Sequence, residues 1–303
     1  MANYSEILRL FPSARHYVRQ RRWARRGEVL AYAPNLETDV FSTDPYGFRH
    51  GEVNGERYGL AAALSGVAYG LVLGSSDMFG FGLDCNAQTI ASRLSEHCGV
   101  YCLNISFPEA DLRTLCTAAT RIASETPLTP AYIVCFGGGT LSRYCYTRRC
   151  DPLFGSPDFL GGNTESLSPG TPEEATAFAN LTSYARFWFG QLSDLARRCG
   201  CPLVVHDQAS AFDKTSLSEV EATCALTLPG NEDEERFAAH RLRNAQFRAN
   251  FLAAASNAAR IASSEADALS FIDEFHYTAA ASERIASDIA QSLYVPDRTM
   301  VEA

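Results

Sequence analysis

Lysine is nearly absent from this 303-residue chain: Lys214 is the only one, and arginine carries the rest of the basic charge. That skew reads as a bias of composition rather than as chemistry. Basic charge as a whole is scarce, with 26 Lys and Arg against 35 Asp and Glu and a net charge of -9. A chain this negative is poorly suited to wrap a phosphate backbone, so nucleic acid is not an expected partner. Long apolar runs are missing too. No segment reaches the roughly 18–20 unbroken apolar residues that a membrane-spanning helix requires. The opening stretch, MANYSEILRLFPSARHYVRQRRWARRGE, has neither the central apolar block nor the small-residue cleavage site of a secretory signal. The expected location is therefore cytoplasmic. No internal repeat is evident. Around the glycine-rich stretch 74–82 there is no G-x-G-x-x-G, no G-x-x-x-x-G-K-S/T and no G-x-S-x-G, so neither a nucleotide fingerprint nor a hydrolase elbow of that type is present.

Cysteine, by contrast, is plentiful at ten residues. A chain this long does not need disulfide staples, and Cys102, Cys116 and Cys135 lie inside apolar runs. They read as reduced thiols that pack as small hydrophobes. The one close pair, Cys199-Gly-Cys201, is too tight for a usual zinc knuckle. No other spacing suggests metal ligands, and no metal or cofactor is expected.

Hydrophobic residues make up 46% of the chain and charged residues 20%, as in ordinary globular proteins. Residues 1–27 read as a helix with Arg15, Arg19, Arg22 and Arg26 at spacings of three and four. This suggests a basic arm over 1–40, packed on the body or docking a lipid surface or a partner. Residues 28–60 carry turn punctuation and read as a short, irregular β region. Apolar strands are then expected at 69–75, 100–106, 131–138 and 202–208. Helices are expected at 86–98, 109–125, 173–198, 233–264 and 279–293. Strands apolar throughout and separated by helices imply a parallel sheet covered on both faces, an α/β fold of three layers. The Gly-, Ser- and Pro-rich stretch 151–174 reads as a long loop of the kind that often serves as a lid.

Ligands of open parallel sheets bind beyond the carboxyl ends of the strands. The first such strand runs into LVLGSSDMFGFG (71–82), placing Ser75 and Ser76 at a strand-to-helix turn. A hydroxyl there is exposed over the sheet edge, and its own N–H lies near a helix start where an oxyanion is stabilised. A serine nucleophile needs a base, and the base needs an orienting carboxylate. Six histidines are available: His16, His50, His97, His206, His240 and His276. His206 stands next to Asp207 at a strand end and reads mainly as half of a buried polar pair. His276 follows Asp273 by three residues in FIDEFHYTAAASERIA, so one short loop can carry both carboxylate and imidazole.

These blocks carry a resemblance. GSSDMFGFG resembles the G-(D/G)-S-x-x-x-G-x-G block of the SGNH (GDSL-type) hydrolases, and DEFHYTAAASERIASDIAQSL resembles their closing D-x-x-H block and last helix. YGFRHGEVNGERYGLAAALSGVAYGLVLGSS is similar to the lead-in of bacterial members, and VVHDQASAFDKTSLSEVE to their fourth-strand region. The similarity spans about 41–293, and the domain it delimits is 41–296. It implies a flavodoxin-like α/β/α domain with Ser76 as nucleophile, His276 as base and Asp273 as its orienter. Ser75, after Gly74, stands where the family has Asp or Gly.

The middle blocks depart from the pattern. Ser106 and Glu109 stand where glycines are common, and Gly139 stands where an asparagine supplies an oxyanion donor. The expected substitutes are the N–H groups of Gly138, Gly139 and Thr140, the Thr140 hydroxyl, Asn104 or Arg143. Gly74 and Ser75 complete the expected surroundings of the site. Arg143, Arg148 and Arg149 suggest a rim for an anionic or sugar-bearing substrate. The function implied is that of a serine esterase or acyltransferase working on an acyl ester of a small molecule or a glycan. The alternative is an SGNH-like domain that has lost catalysis and binds a partner or a sugar. A third reading, a flavodoxin-like phosphate binder, rests on GSS and GGG at strand ends. Assembly into a homo-oligomer is compatible with all three.

Overall fold

The computed structural model describes residues 5–19, 23–26, 29–107, 110–137, 171–226 and 234–294. The arm opens with two short helices, α1 (Ser5–Leu10) and α2 (Ala14–Arg19), and continues into a hairpin of β1 (Trp23–Arg26) and β2 (Val29–Tyr32). The single helix expected over 1–27 is thus broken. Pro12 has no N–H to continue α1, and the chain turns there before Ala14. Residues 23–26 instead pair antiparallel with the β-favouring VLAY segment. Ile7, Ala14 and Tyr17 are buried, so the arm packs on the body.

A second hairpin, β3 (Gly51–Val53) and β4 (Glu56–Tyr58), turns through Asn54 and Gly55 and leads into α3 (Leu60–Leu64). The main sheet begins with β5 (Tyr69–Leu73), followed by α4 (Ser76–Phe79), α5 (Ile90–Cys98), β6 (Tyr101–Asn104), α6 (Leu112–Glu125) and β7 (Ile133–Gly137). Then come α7 (Pro172–Cys199), β8 (Leu203–Asp207), α8 (Glu219–Leu226), α9 (Glu234–Ala255), β9 (Arg260–Ser263) and α10 (Ala279–Tyr294). Every pairing in this sheet is parallel, and the spatial order is β6-β5-β7-β8-β9. Renumbered from β5, this is the 2-1-3-4-5 order of flavodoxin-like folds.

Strand residues alternate between two cores, as the pleat requires. Leu71, Leu73, Ile133, Cys135, Leu203 and Val205 face one cluster with α6, α7 and the end of α9. Val72, Cys102, Val134, Phe136 and Val204 face the other, with α5 and α10. The three-layer expectation holds. The helix expected over 233–264 does not: it ends at Ala255, and Arg260–Ser263 forms the fifth strand. Pairing along β8 overrides the alanine-rich helical pattern, because without β9 the backbone groups of β8 would form an open edge. Residues 151–170 of the expected loop lie outside the described residues, and 172–174 belong to the first turn of α7.

Candidate active site

The chain leaves β5 at Leu73 and turns through Gly74 and Ser75 into α4. A Cβ at Gly74 would lie 2.3 Å from Met78 Cγ and 3.2 Å from Phe136 Cβ, so only glycine lets the turn close this tightly. At the other end of α4, Gly80 caps the helix with φ +89°, a left-handed conformation costly to other residues. The Ser76 carbonyl accepts from the Gly80 N–H at 3.1 Å and the Phe81 N–H at 3.0 Å, fixing the backbone under the serine. Ser75 is buried at the N-cap, whereas Ser76 is partly exposed.

The loop before α10 supplies the facing groups. Phe271 and Tyr277 form an antiparallel bridge, and the Ile272 N–H donates to the His276 carbonyl at 2.7 Å. Inside this loop, Asp273 Oδ1 accepts from the N–H groups of Phe275 and His276, both at 2.9 Å. Its Oδ2 lies 2.6 Å from His276 Nδ1. The Tyr277 hydroxyl donates to the Ala209 carbonyl at 2.6 Å and ties the loop to the exit of β8. Lys214 donates to the Leu269 carbonyl at 2.9 Å and to Glu221, whose Oε1 accepts from the Phe271 N–H at 3.1 Å. The sole lysine is therefore a brace of this loop.

The two halves meet where His276 Nε2 lies 2.8 Å from Ser76 Oγ, across 200 residues of sequence. An ionised Asp273 only accepts, so Nδ1 carries the imidazole proton and Nε2 is free to accept from the serine hydroxyl. Burial pushes the Asp273 carboxyl up, but the adjacent His276 and the loop amides outweigh it and hold the group below its usual range. Burial opposes the charged form of His276, yet the charge and hydrogen bond of Asp273, with smaller help from Asp77 and Glu274, raise its pKa overall. The Phe81 ring lies 4.3 Å from the imidazole ring, tilted by 35°. Asp77 is buried beside Ser76, and desolvation raises its carboxyl to about 6.

Asn104 sits under α4: it donates from Nδ2 to the Met78 carbonyl at 3.0 Å and accepts from the Ser106 N–H at 3.2 Å. The first of these bonds ties β6 to α4. Gly138, Gly139, Thr140, Arg143, Arg148, Arg149 and Glu109 lie outside the described residues. His206 and Asp207 are buried but do not pair, because neighbours on a strand point to opposite faces. His206 Nε2 lies 3.1 Å from Ser264 Oγ, and burial pushes its pKa down to about 3. Asp207 accepts from Arg248 on the other face. His97 bonds Glu283, His50 bonds Ser42 Oγ, and His16 approaches Asp39. His240 lies on α9. Among the described residues no group of three or more His, Cys, Asp or Glu is arranged to hold a metal, and the eight described cysteines are free thiols. No described helix is long and apolar enough to cross a membrane.

Arg49 and Tyr17, which no sequence motif marks, adjoin α4 in the structure. Arg49 lies in the lead-in among other charged residues, Glu52, Glu56 and Arg57, so its charge did not single it out.

No family model and no curated protein matches the chain. Solved structures that it is similar to include an extracellular lipase from Streptomyces rimosus, at 14% identity and a TM-score of 0.45 over 74% of this chain and 99% of that one. A carbohydrate esterase family 2 enzyme from Corynascus thermopiles, solved with its carbohydrate-binding domain, is 12% identical, with a TM-score of 0.43 over 82% of this chain and 73% of that one. A GDSL-like lipase from Bacteroides thetaiotaomicron is 13% identical, with a TM-score of 0.39 over 74% and 87%.

Proposed function

We propose that this protein is a serine esterase or acyltransferase of the SGNH type, with Ser76 as nucleophile, His276 as general base and acid, and Asp273 as its orienter. The observation that carries the reading is the unbroken contact from Asp273 Oδ2 through the imidazole to Ser76 Oγ, at 2.6 and 2.8 Å. Ser76 Oγ attacks the acyl carbonyl carbon while its proton passes to His276 Nε2. The resulting oxyanion is met by the Ser76 N–H and by the Gly138–Thr140 amides in place of the family's asparagine. The tetrahedral species collapses, the C–O bond to the leaving alcohol breaks, and His276 returns the proton to that oxygen. Water, or a second alcohol, then gives its proton to His276 and attacks the acyl-enzyme, releasing acid or new ester and restoring Ser76. The acyl group is carried by a small molecule or a glycan. The free thiols suit a reducing compartment, in keeping with a cytoplasmic location.

The test is labelling with a fluorophosphonate probe beside turnover of short- and long-chain esters. Wild type is expected to be labelled at Ser76 and to hydrolyse at least one ester, and Ser76→Ala to lose both by about 10³-fold or more. A wild type that is neither labelled nor active would favour the binding-only alternative, which the glycine at position 139 motivates.

A further inference from the structure

Arg49 is 1% exposed and forms no salt bridge among the described residues. A buried charge without a counter-charge is costly, and an apolar side chain of similar volume would fill the space without that cost. Neutral acceptors surround this guanidinium instead. Nε donates to Asn86 Oδ1 at 3.0 Å, and Nη2 donates to the Cys85 carbonyl at 2.9 Å and the Val40 carbonyl at 3.4 Å. Nη1 donates to the carbonyls of Phe79 and Gly80 and to the Tyr17 hydroxyl, each at 2.9 Å. The rings of Tyr17, Phe41 and Phe79 lie 5.4–5.6 Å from its central carbon.

Two of these acceptors are the carbonyls of Phe79, the last residue of α4, and of its cap Gly80, which no N–H within the helix can reach. A helix of four residues has little stability of its own, so what grips its end sets where its first residue sits. Its first residue is Ser76. Tyr17 extends the grip to the other half of the site. Its hydroxyl donates to the Leu83 carbonyl at 2.8 Å, and its ring lies 5.3 Å from Phe81, which in turn lies 4.3 Å from the His276 ring. Ile7 and Ala14 of the same arm pack in one cluster with Ile272, next to Asp273.

We propose that Arg49, keyed to the N-terminal arm through Tyr17, is a positioning residue that holds Ser76 Oγ and the His276 ring in register. This rests on the reading of Ser76 and His276 as the catalytic pair. The arm is then part of the catalytic unit rather than an appendage.

The experiment compares full-length wild type with Arg49→Met, Arg49→Lys and Tyr17→Phe. The readouts are kcat, KM, the rate of fluorophosphonate labelling and the downfield NMR signal of the His276 Nδ1 proton shared with Asp273. Arg49→Met is expected to lower kcat and the labelling rate together by about 10²-fold with KM within about threefold, the effect of a small misplacement of reacting atoms. Arg49→Lys should recover part of the loss, because an ammonium reaches the α4 carbonyls without the planar fork. Tyr17→Phe, which removes one oxygen, should cost about tenfold and weaken the downfield signal. Variants that melt earlier but keep the wild-type kcat and labelling rate per folded molecule would overturn the proposal. If Arg49→Met does not fold, Tyr17→Phe decides alone. If wild type is neither labelled nor active, the catalytic reading falls. The positioning claim is then judged by the Nδ1 proton signal, and an unchanged signal in Tyr17→Phe overturns it.

Discussion

At the end of α4 opposite Ser76, Arg49 is ringed by carbonyl oxygens, an amide and a phenol, with no carboxylate among its described partners. On the histidine side, cations meet carboxylates: the buried Lys214 braces the stretch leading into the Asp273–His276 loop, and the half-buried Arg248 sits by the end of β8. Lys214 faces Glu221 at 2.8 Å, and Arg248 spans Asp207 and Asp213. The two arrangements respond differently to damage. A guanidinium held by neutral groups is specified by direction, and each lost contact loosens one segment. An ion pair is specified by charge, and removing one partner strands the other in a poorly solvated site. The serine side is thus tuned for placement and the histidine side for retention.

The largest effect should come from breaking an ion pair on the histidine side. Lys214→Met leaves Glu221 buried without its cation and is expected to cost about 3–5 kcal/mol in urea unfolding. The double variant with Glu221→Gln should recover most of that, and a double variant as unstable as the single would contradict the contrast drawn above. Next in size is Gly74→Ala on the serine side. Its Cβ would press on Met78 at 2.3 Å, so a loss of about 1–3 kcal/mol is expected, with a fall in kcat larger than stability alone explains.

The smallest effect is a shift in pH dependence. His276 binds its proton more tightly than an ordinary histidine at 6.5, so kcat/KM should fall on the acid side with a midpoint above 6.5. The stability contribution has the opposite sense: that of protonated His276 is complete below 6.5 and is lost as pH rises through the folded value. Asp273, held low, contributes stability above 3.8 that is lost as pH falls through its own folded value. A kinetic midpoint at or below 6.5, or a His276 NMR titration centred there, would show that Asp273 does not hold the imidazole as drawn.

The sheet could be read in advance because four of its strands are apolar on both faces, a pattern fixed by local composition. The fifth, Arg260–Ser263, escaped notice because it follows an alanine-rich helix and is a strand only through its pairing with β8. Pro12 was visible in the arm, but the pairing of 23–26 with VLAY depends on a turn that composition does not specify. Asp273 and His276 were within reach of inspection, since a spacing of three confines them to one loop. The choice between Ser75 and Ser76 came from the family block; in the structure Ser75 is buried and Ser76 is partly exposed. Arg49 was unreadable as a brace because its six acceptors come from chain positions between 17 and 86 that only folding assembles.

Lys214 also gives the molecule an unusual reporter. Its ammonium is the sole lysine amine, 9% exposed and bound to Glu221 and the Leu269 carbonyl. Amine-directed reagents therefore find no open lysine side chain while the loop carrying Asp273 and His276 is docked. Covalent tagging at this one position would clock each opening of that loop, residue-specifically and without an engineered probe.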